Sequence, residues 1–422
     1  MERKATSNWF EKFTGSLLWA IVAAFGTYFS MYLFRKPFTA AKFEDLSFWG
    51  IGFKSILVIS QVLGYTISKF IGIRLVSEAP PQRRIYLIIG LVLFSECALL
   101  GFGSTPAPWN LVFLFLNGIP LGVVFGLVLS FLEGRKQTEL LTAGLCVSFI
   151  VADGFAKSVG KSLIDSGTSE FWMPAIAGAR FIPFLLFFCW MLSKVPPPTD
   201  EDKKMRSERT QMNKSQRKDL YKKYSVGLFP ILFIYGLVGV VRGVKGDFAP
   251  EIWASLNTKV DAAAFSSTEL YSGLGVLISF GLVSLVKDNR RGFLTGIGLS
   301  IVGCVILAAS LFLIQGKIIS PYVFMVLSGF GMYLPYIAVH TTLFERLMAM
   351  TQERGTIGYL MYLADAGSYA AYVLVLLARN VLSTSSISVL PMFVGLCWAL
   401  VVTGIIAFLY SAQKLASGKV SV

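Results

Sequence analysis

Tyr32-Leu33-Phe34-Arg35-Lys36-Pro37 and Val240-Val241-Arg242-Gly243-Val244-Lys245-Gly246-Asp247 end two long apolar runs, and together they set the reading of the whole chain. An arginine in a membrane span is costly, so it marks a substrate or ion pathway unless it anchors the span at the headgroups. Each of these arginines closes the first span of one half of the sequence, and each is followed by Pro or Gly. Matching interrupted spans in two halves are the pattern of a site held between transporter repeats. Arg35 and Arg242 are therefore expected to form a paired anion clamp, with a snorkelling, interfacial role as the alternative for either one alone. Against that alternative, Arg35 and Lys36 put two positive charges on a side where the other loops carry almost none. Arginine suits the task because its planar fork keeps its charge and can grip a phosphate or carboxylate through two bonds.

The 422 residues are 55% hydrophobic and 15% charged, and the apolar runs recur at a membrane-spanning length. A helix needs about 20 apolar residues to cross the hydrocarbon. Twelve candidates lie at roughly 14–37, 50–74, 85–103, 108–132, 139–163, 171–194, 225–249, 267–287, 292–315, 320–344, 356–379 and 388–411. The runs are continuous rather than alternating, which selects helices over a barrel. A net charge of +14 invites a nucleic-acid partner, but the basic residues gather in alternate short loops. They are Arg3, Lys4 and Lys12; Arg83 and Arg84; Arg135 and Lys136; Lys287, Arg290 and Arg291; Arg346 and Arg354; Lys414 and Lys419. This positive-inside bias predicts cytoplasmic termini, with the bilayer and no nucleic acid as partner, and adds some attraction to anionic lipid. A cysteine introduced at Ser207 is accordingly expected to react only with reagent on the inner side, and outside labelling would overturn the orientation. The first run is full length and lacks a small-residue cleavage site, so no separate signal peptide is expected. Cys97, Cys146, Cys189, Cys304 and Cys397 all fall in apolar runs without paired spacing and are expected to be buried packing residues, not disulfides or metal ligands.

Between the sixth and seventh runs, Lys194–Lys223 holds ten Lys or Arg, five Asp or Glu and the prolines Pro196–Pro198. It cannot bury enough apolar surface to fold alone and reads as a flexible or helical cytoplasmic linker. The expected organisation is a six-helix half over 1–194, a linker over 195–224 and a second six-helix half over 225–422. Six spans, a charged linker and six more describe the major facilitator architecture, whose halves are parallel repeats with a site midway between them. The loops after the second and eighth runs occupy equivalent positions. Gly281-Leu282-Val283-Ser284-Leu285-Val286-Lys287-Asp288-Asn289-Arg290-Arg291 resembles that superfamily's acidic and basic loop motif, and Gly72–Glu78 with Arg83-Arg84 is a degraded copy.

Other residues carry possible chemistry. Lys69, in Gly64-Tyr65-Thr66-Ile67-Ser68-Lys69-Phe70-Ile71-Gly72, either snorkels inward or supplies a third cavity cation. Tyr28 and Tyr32 precede Arg35 by seven and three residues and would share its helix face, as hydroxyl donors to an oxyanion or as aromatic packing. Asp153 and Lys157, at i and i+4 in the fifth run, can neutralise each other. Asp365 places another acid in the eleventh run. The sole histidine, His340, stands beside Thr341 and Thr342 near the cytoplasmic end of the tenth run, as a packing residue or a proton carrier. Gly329-Phe330-Gly331 reads as close helix packing. No Walker loop, metal cluster or nucleophilic triad is present in the sequence, so neither a cofactor nor bond-making chemistry is expected.

Tyr-Leu-Phe-Arg-Lys-Pro-Phe, Tyr-x-x-Ser-Lys-Phe-Ile-x-Gly and Arg-x-x-x-x-Asp-Phe-x-Pro, in the first, second and seventh runs, resemble the organophosphate:phosphate antiporters, which include glycerol-3-phosphate and hexose-phosphate transporters. The resemblance implies a phosphate site lined by Arg35, Arg242 and Lys69, with Tyr28 and Tyr32 as aligned tyrosines. Asp247, Phe248 and Pro250 match the segment after the seventh-run arginine, Glu269 corresponds to an acid in the eighth run, and Gly355-Thr356 fits the pattern before the eleventh. The sequence departs from that family in the fifth run, where Asp153 and Lys157 stand in place of a histidine, and in the acid Asp365. The implied activity is alternating-access transport of a small anionic, phosphorylated metabolite by a monomer in a bacterial inner membrane, in exchange for phosphate or another anion. The alternative is proton-coupled symport of a carboxylated or neutral solute, with Asp153, Glu269, Asp365 or His340 as proton carriers. A non-transporting sensor is the third class considered.

Overall fold

The computed structural model describes residues 16–44, 46–78, 80–133, 135, 138–197, 214–351, 357–382 and 388–416. Arg3, Lys4, Lys12, Lys136, Ser207 with most of the linker, Arg354, Gly355-Thr356 and Lys419 lie outside the described residues.

The described chain is an all-α membrane protein. Spans one to six are Leu17–Tyr32, Phe53–Glu78, Pro81–Ser104, Leu111–Leu129, Thr138–Asp165 and Met173–Ser193. Spans seven to nine are Lys214–Asp247, Ala262–Val283 and Asn289–Gln315. Span ten, Pro321–Ala338, runs through a π-helical turn at Val339–Leu343 into Phe344–Thr351; spans eleven and twelve are Ile357–Leu382 and Val389–Ala416. Among the described residues nine helices are both long and apolar enough to cross a bilayer by composition. The remaining three are informative. Span one has only 16 residues, and spans eight and eleven are interrupted by hydroxyl side chains and by Glu269 and Asp365.

Local chemistry explains the ends. Ser16, Asp261, Asp288 and Ser320 accept backbone N–H bonds at the starts of spans one, eight, nine and ten, satisfying donors that a helix cannot. Asp288 thereby gives the acidic position of the 281–291 loop a structural role. Span seven begins at Lys214, well before the expected 225, so the end of the linker is helical.

Span one ends before its expected limit of 37. Leu33 caps it, Pro37 cannot continue the ladder, and Pro37–Ala40 forms a 3-10 turn. Arg35 therefore lies on the turn and not on the helix face of Tyr28 and Tyr32, correcting the shared-face expectation. Asn117 donates to the carbonyl of Phe34, and Gln61 to that of Arg35, each at 2.9 Å, so amides from spans four and two pin the turn inward. Past this turn, an antiparallel hairpin pairs Ser47 with Gly52 and Phe48 with Ile51.

Span one packs on spans five and six, span two on four, and span three on four and six. In the second half, span seven packs on ten, eleven and twelve, and span nine on ten and twelve. Two seams join the halves, five against eight and two against eleven. Exchanging the halves exchanges these seams, so the site between them has an approximate twofold axis. A Cβ on Gly331 would stand 2.7 Å from the carbonyl oxygen of Gly303, so this glycine pair lets the backbones of spans nine and ten come close. Four cysteines are buried as expected, but Cys97 is exposed on span three, because it sits on the outward face of that helix.

Candidate functional site

The turn after span one and the half of span seven away from the linker bring both arginines to one cavity. It is lined by Arg35, Lys36, Asp153, Arg242, Asp247 and Tyr369 among others, and its free volume of about 20 Å3 holds little more than water. Arg35 is 3% exposed, which rules out the snorkelling alternative. Its guanidinium lies 3.8 Å from the centre of the Tyr65 ring, and its Nε and Nη1 have no hydrogen-bond partner. Arg242 donates to the hydroxyls of Tyr336 at 3.0 Å and Tyr32 at 3.2 Å and sits over the Phe149 ring. Tyr28 is buried behind them with its hydroxyl 3.4 Å from that of Tyr65. Gly239, Gly243 and Gly246 on span seven admit Ser368, Tyr372 and Asp153 where any side chain would collide or crowd, and that approach walls the cavity.

The lysines have a different fate. Lys36 bonds Asp247 and lies 3.5 Å from Asp153. Lys157 binds Asp153, as the i, i+4 spacing suggested. Lys245 binds Glu269, whose other oxygen accepts from Tyr333 at 2.8 Å. Lys69, 3% exposed, pairs with Asp365 at 2.8 Å, so it neither snorkels nor adds an uncompensated cation. Six cations, Arg35, Lys36, Lys69, Lys157, Arg242 and Lys245, thus surround four carboxylates, Asp153, Asp247, Glu269 and Asp365. Of these six cations only the two guanidiniums lack a carboxylate within 4.0 Å. Cations away from water are normally paired, so this imbalance makes the cavity attractive to an anion.

A second space of about 10 Å3 lies toward the linker end, bounded by Lys69, His340, Asp365, Tyr28, Tyr336 and Arg242. The π-turn brings Nε2 of His340 to 2.5 Å from the hydroxyl of Tyr235. Ties between the halves close the site at both ends. Toward the span-one turn they are Lys36 with Asp247, and Lys54 with Glu251 at 2.7 Å. Toward the linker end they are Lys69 with Asp365, and a two-pronged bond of Arg346 to Glu139 at 2.7 and 2.8 Å. No group of three or more His, Cys, Asp or Glu suited to a metal comes together among the described residues.

Sequence reading singled out Arg35, Arg242, Lys69, Tyr28, Tyr32, Asp153, Lys157, Glu269, Asp365 and His340, and the structure gathers them around these two spaces or in the ion pairs beside them. It passed over Lys36 as a carboxylate partner, and over Lys245, Tyr65, Tyr235, Tyr336 and Tyr369. One signal was available: Tyr235 precedes Arg242 by seven residues, the spacing of Tyr28 before Arg35. The shared spacing means that a search for matching positions in the halves finds the second tyrosine as well as the second arginine.

A family model described as a family of unknown function (DUF5690) matches residues 37–416. No curated protein matches the sequence. Among solved structures, a D-xylose–proton symporter superposes with a TM-score of 0.62 at 14% identity, over 93% of this chain and 96% of that one. At that identity the likeness establishes the fold, which is that of the major facilitator superfamily.

Proposed function

The chain belongs to the DUF5690 family of unknown function, and we propose that it is a secondary transporter of a small phosphate-bearing dianion, working by alternating access. The observation that carries this reading is the pair of guanidiniums, buried Arg35 and half-buried Arg242, left without carboxylates in a cavity between the halves. Two uncompensated positive charges call for two negative ones, and a phosphate group carries about −1.5 to −2 near neutral pH. Its oxygens accept several donors at once, which suits two planar forks and the surrounding tyrosine hydroxyls. The motifs shared with the organophosphate:phosphate antiporters support the same choice of ligand. The loop charges support cytoplasmic termini, and the family resemblance supports a monomer in a bacterial inner membrane.

Exchange follows from electrostatics. Reorienting an empty cavity drags two unpaired charges through a dry constriction, which is expensive, whereas the loaded cavity is close to neutral. In proteoliposomes, uptake of labelled phosphate or a phosphate monoester should accelerate when the lumen contains phosphate and should persist when a protonophore collapses the pH gradient. Asp153→Asn should alter affinity without stopping exchange. Uptake into empty vesicles that collapses with protonophore would instead favour proton-coupled symport, the activity named for the D-xylose neighbour, and would overturn exchange.

A further inference from the structure

His340 is used by nothing described so far, yet its hydrogen bonds can be assigned one proton at a time. The hydroxyl of Tyr235 has a single hydrogen, and it lies 2.5 Å from Oδ1 of Asp365, an acceptor only. The hydroxyl therefore donates there. Nε2 of His340, 2.5 Å from the same hydroxyl oxygen, must then carry a hydrogen and donate it. That leaves Nδ1 with a bare lone pair, and Nδ1 is buried without a partner. The residue is 3% exposed and sits on the π-turn Val339–Leu343, a distortion frequent at functional positions. An acceptor held ready beside a polar space, with no donor supplied by the protein, is a place for a proton.

The titratable and charged groups around it come from six spans. Tyr235 and Arg242 face it from span seven, Tyr336 from its own span, Asp365 and Tyr369 from span eleven, Lys69 and Tyr65 from span two, and Tyr28 from span one. Cys146 of span five lies within electrostatic reach of the same carboxylate, and span four contributes the apolar ring of Phe125. Asp365 is the sole carboxylate of this set. It holds Lys69 at 2.8 Å through Oδ2 and has His340 Nε2 at 3.6 Å from Oδ1. An imidazolium at that distance competes with Lys69 for one negative charge. The pair it weakens ties span two to span eleven on the linker side.

We propose that Nδ1 of His340 is a proton-binding site, and that a proton taken up there from the linker-side solution loosens the Lys69–Asp365 tie and eases opening on that side. The step adds one proton from water to one lone pair and breaks no covalent bond. It sets how readily the site opens and supplies no driving force, so it coexists with exchange under a collapsed gradient. Its effect on transport rests on the anion-exchange reading; the proton site itself does not.

Because His340 is the sole histidine, protein labelled with 15N-histidine and purified without a histidine tag gives one imidazole signal. On acidification from about pH 8 to about pH 5.5, the ring signals should pass from the Nε2–H tautomer to the doubly protonated form. Spin labels at Ser193→Cys and Lys287→Cys, in a Cys97→Ser background, should report wider linker-side separations at the acid end. His340→Gln should abolish that widening. Phosphate itself loses its second charge over this range, so exchange with equal pH on both sides is compared between the two proteins, and the ratio of wild type to His340→Gln should rise several-fold toward the acid end. An imidazole that does not titrate, an Nδ1–H tautomer, or an unchanged pH response in His340→Gln would overturn the proton site. A normal titration and widening with no phosphate exchange at any pH upholds the proton site and removes the anion reading alone.

Discussion

Arg242→Lys will lower phosphate binding and exchange by about tenfold to over a hundredfold while leaving the helical fold intact. The magnitude comes from the fork. Arg242 reaches two hydroxyls, on Tyr336 and Tyr32, from opposite halves of the chain, and the same planar group must share its donors with a bound anion. A lysine keeps the charge but offers a point instead of two parallel donors. Losing one charge-assisted bond removes about 1.5–3 kcal/mol, and about 1.4 kcal/mol is tenfold in affinity. Arg35→Lys should have a comparable effect, since the lysine also gives up the stacking over Tyr65 at 3.8 Å. Counterflow in phosphate-loaded vesicles measures the loss, and circular dichroism shows whether the helices persist. Normal transport by both variants would make the arginines packing groups and end the clamp reading.

Lys69→Ala should strongly destabilise the protein, and Lys69→Ala combined with Asp365→Ala should recover much of the loss. The single change leaves Asp365 buried without its ion-pair partner, and removing one member of a buried pair costs about 3–5 kcal/mol. The double change removes both charges, so the remaining cost is mainly the cavity. Lys69→Arg keeps the charge and should retain more activity than Lys69→Ala. Thermal unfolding in detergent separates these cases. Equal midpoints for the wild type and Lys69→Ala would show that the tie between spans two and eleven contributes nothing. The single variant should also favour the state open on the linker side, because that tie helps to close that end.

Much of the architecture was legible in the linear order of residues. The length of the apolar runs, the charged stretch after Lys194 and the alternating basic loops define twelve spans in two sets of six, because crossing hydrocarbon is demanded of every contiguous helix separately. Arg35 and Arg242 stood out for the same reason: each is a local anomaly in an apolar run. What the linear order did not carry was the partner of each charge. Lys36 meets Asp247 across 211 residues, and Lys69 meets Asp365 only because span two packs on span eleven. Sequence alone counted Lys69 among the free cations; tertiary packing removed it from that count and left the two guanidiniums. Likewise, Pro37 signalled a break, but only the amides of Gln61 and Asn117 turn Arg35 inward. Hydrophobic length is a property of neighbours along the chain, whereas charge compensation in a medium of low dielectric depends on which helices are adjacent, and that is decided when the two halves pack together.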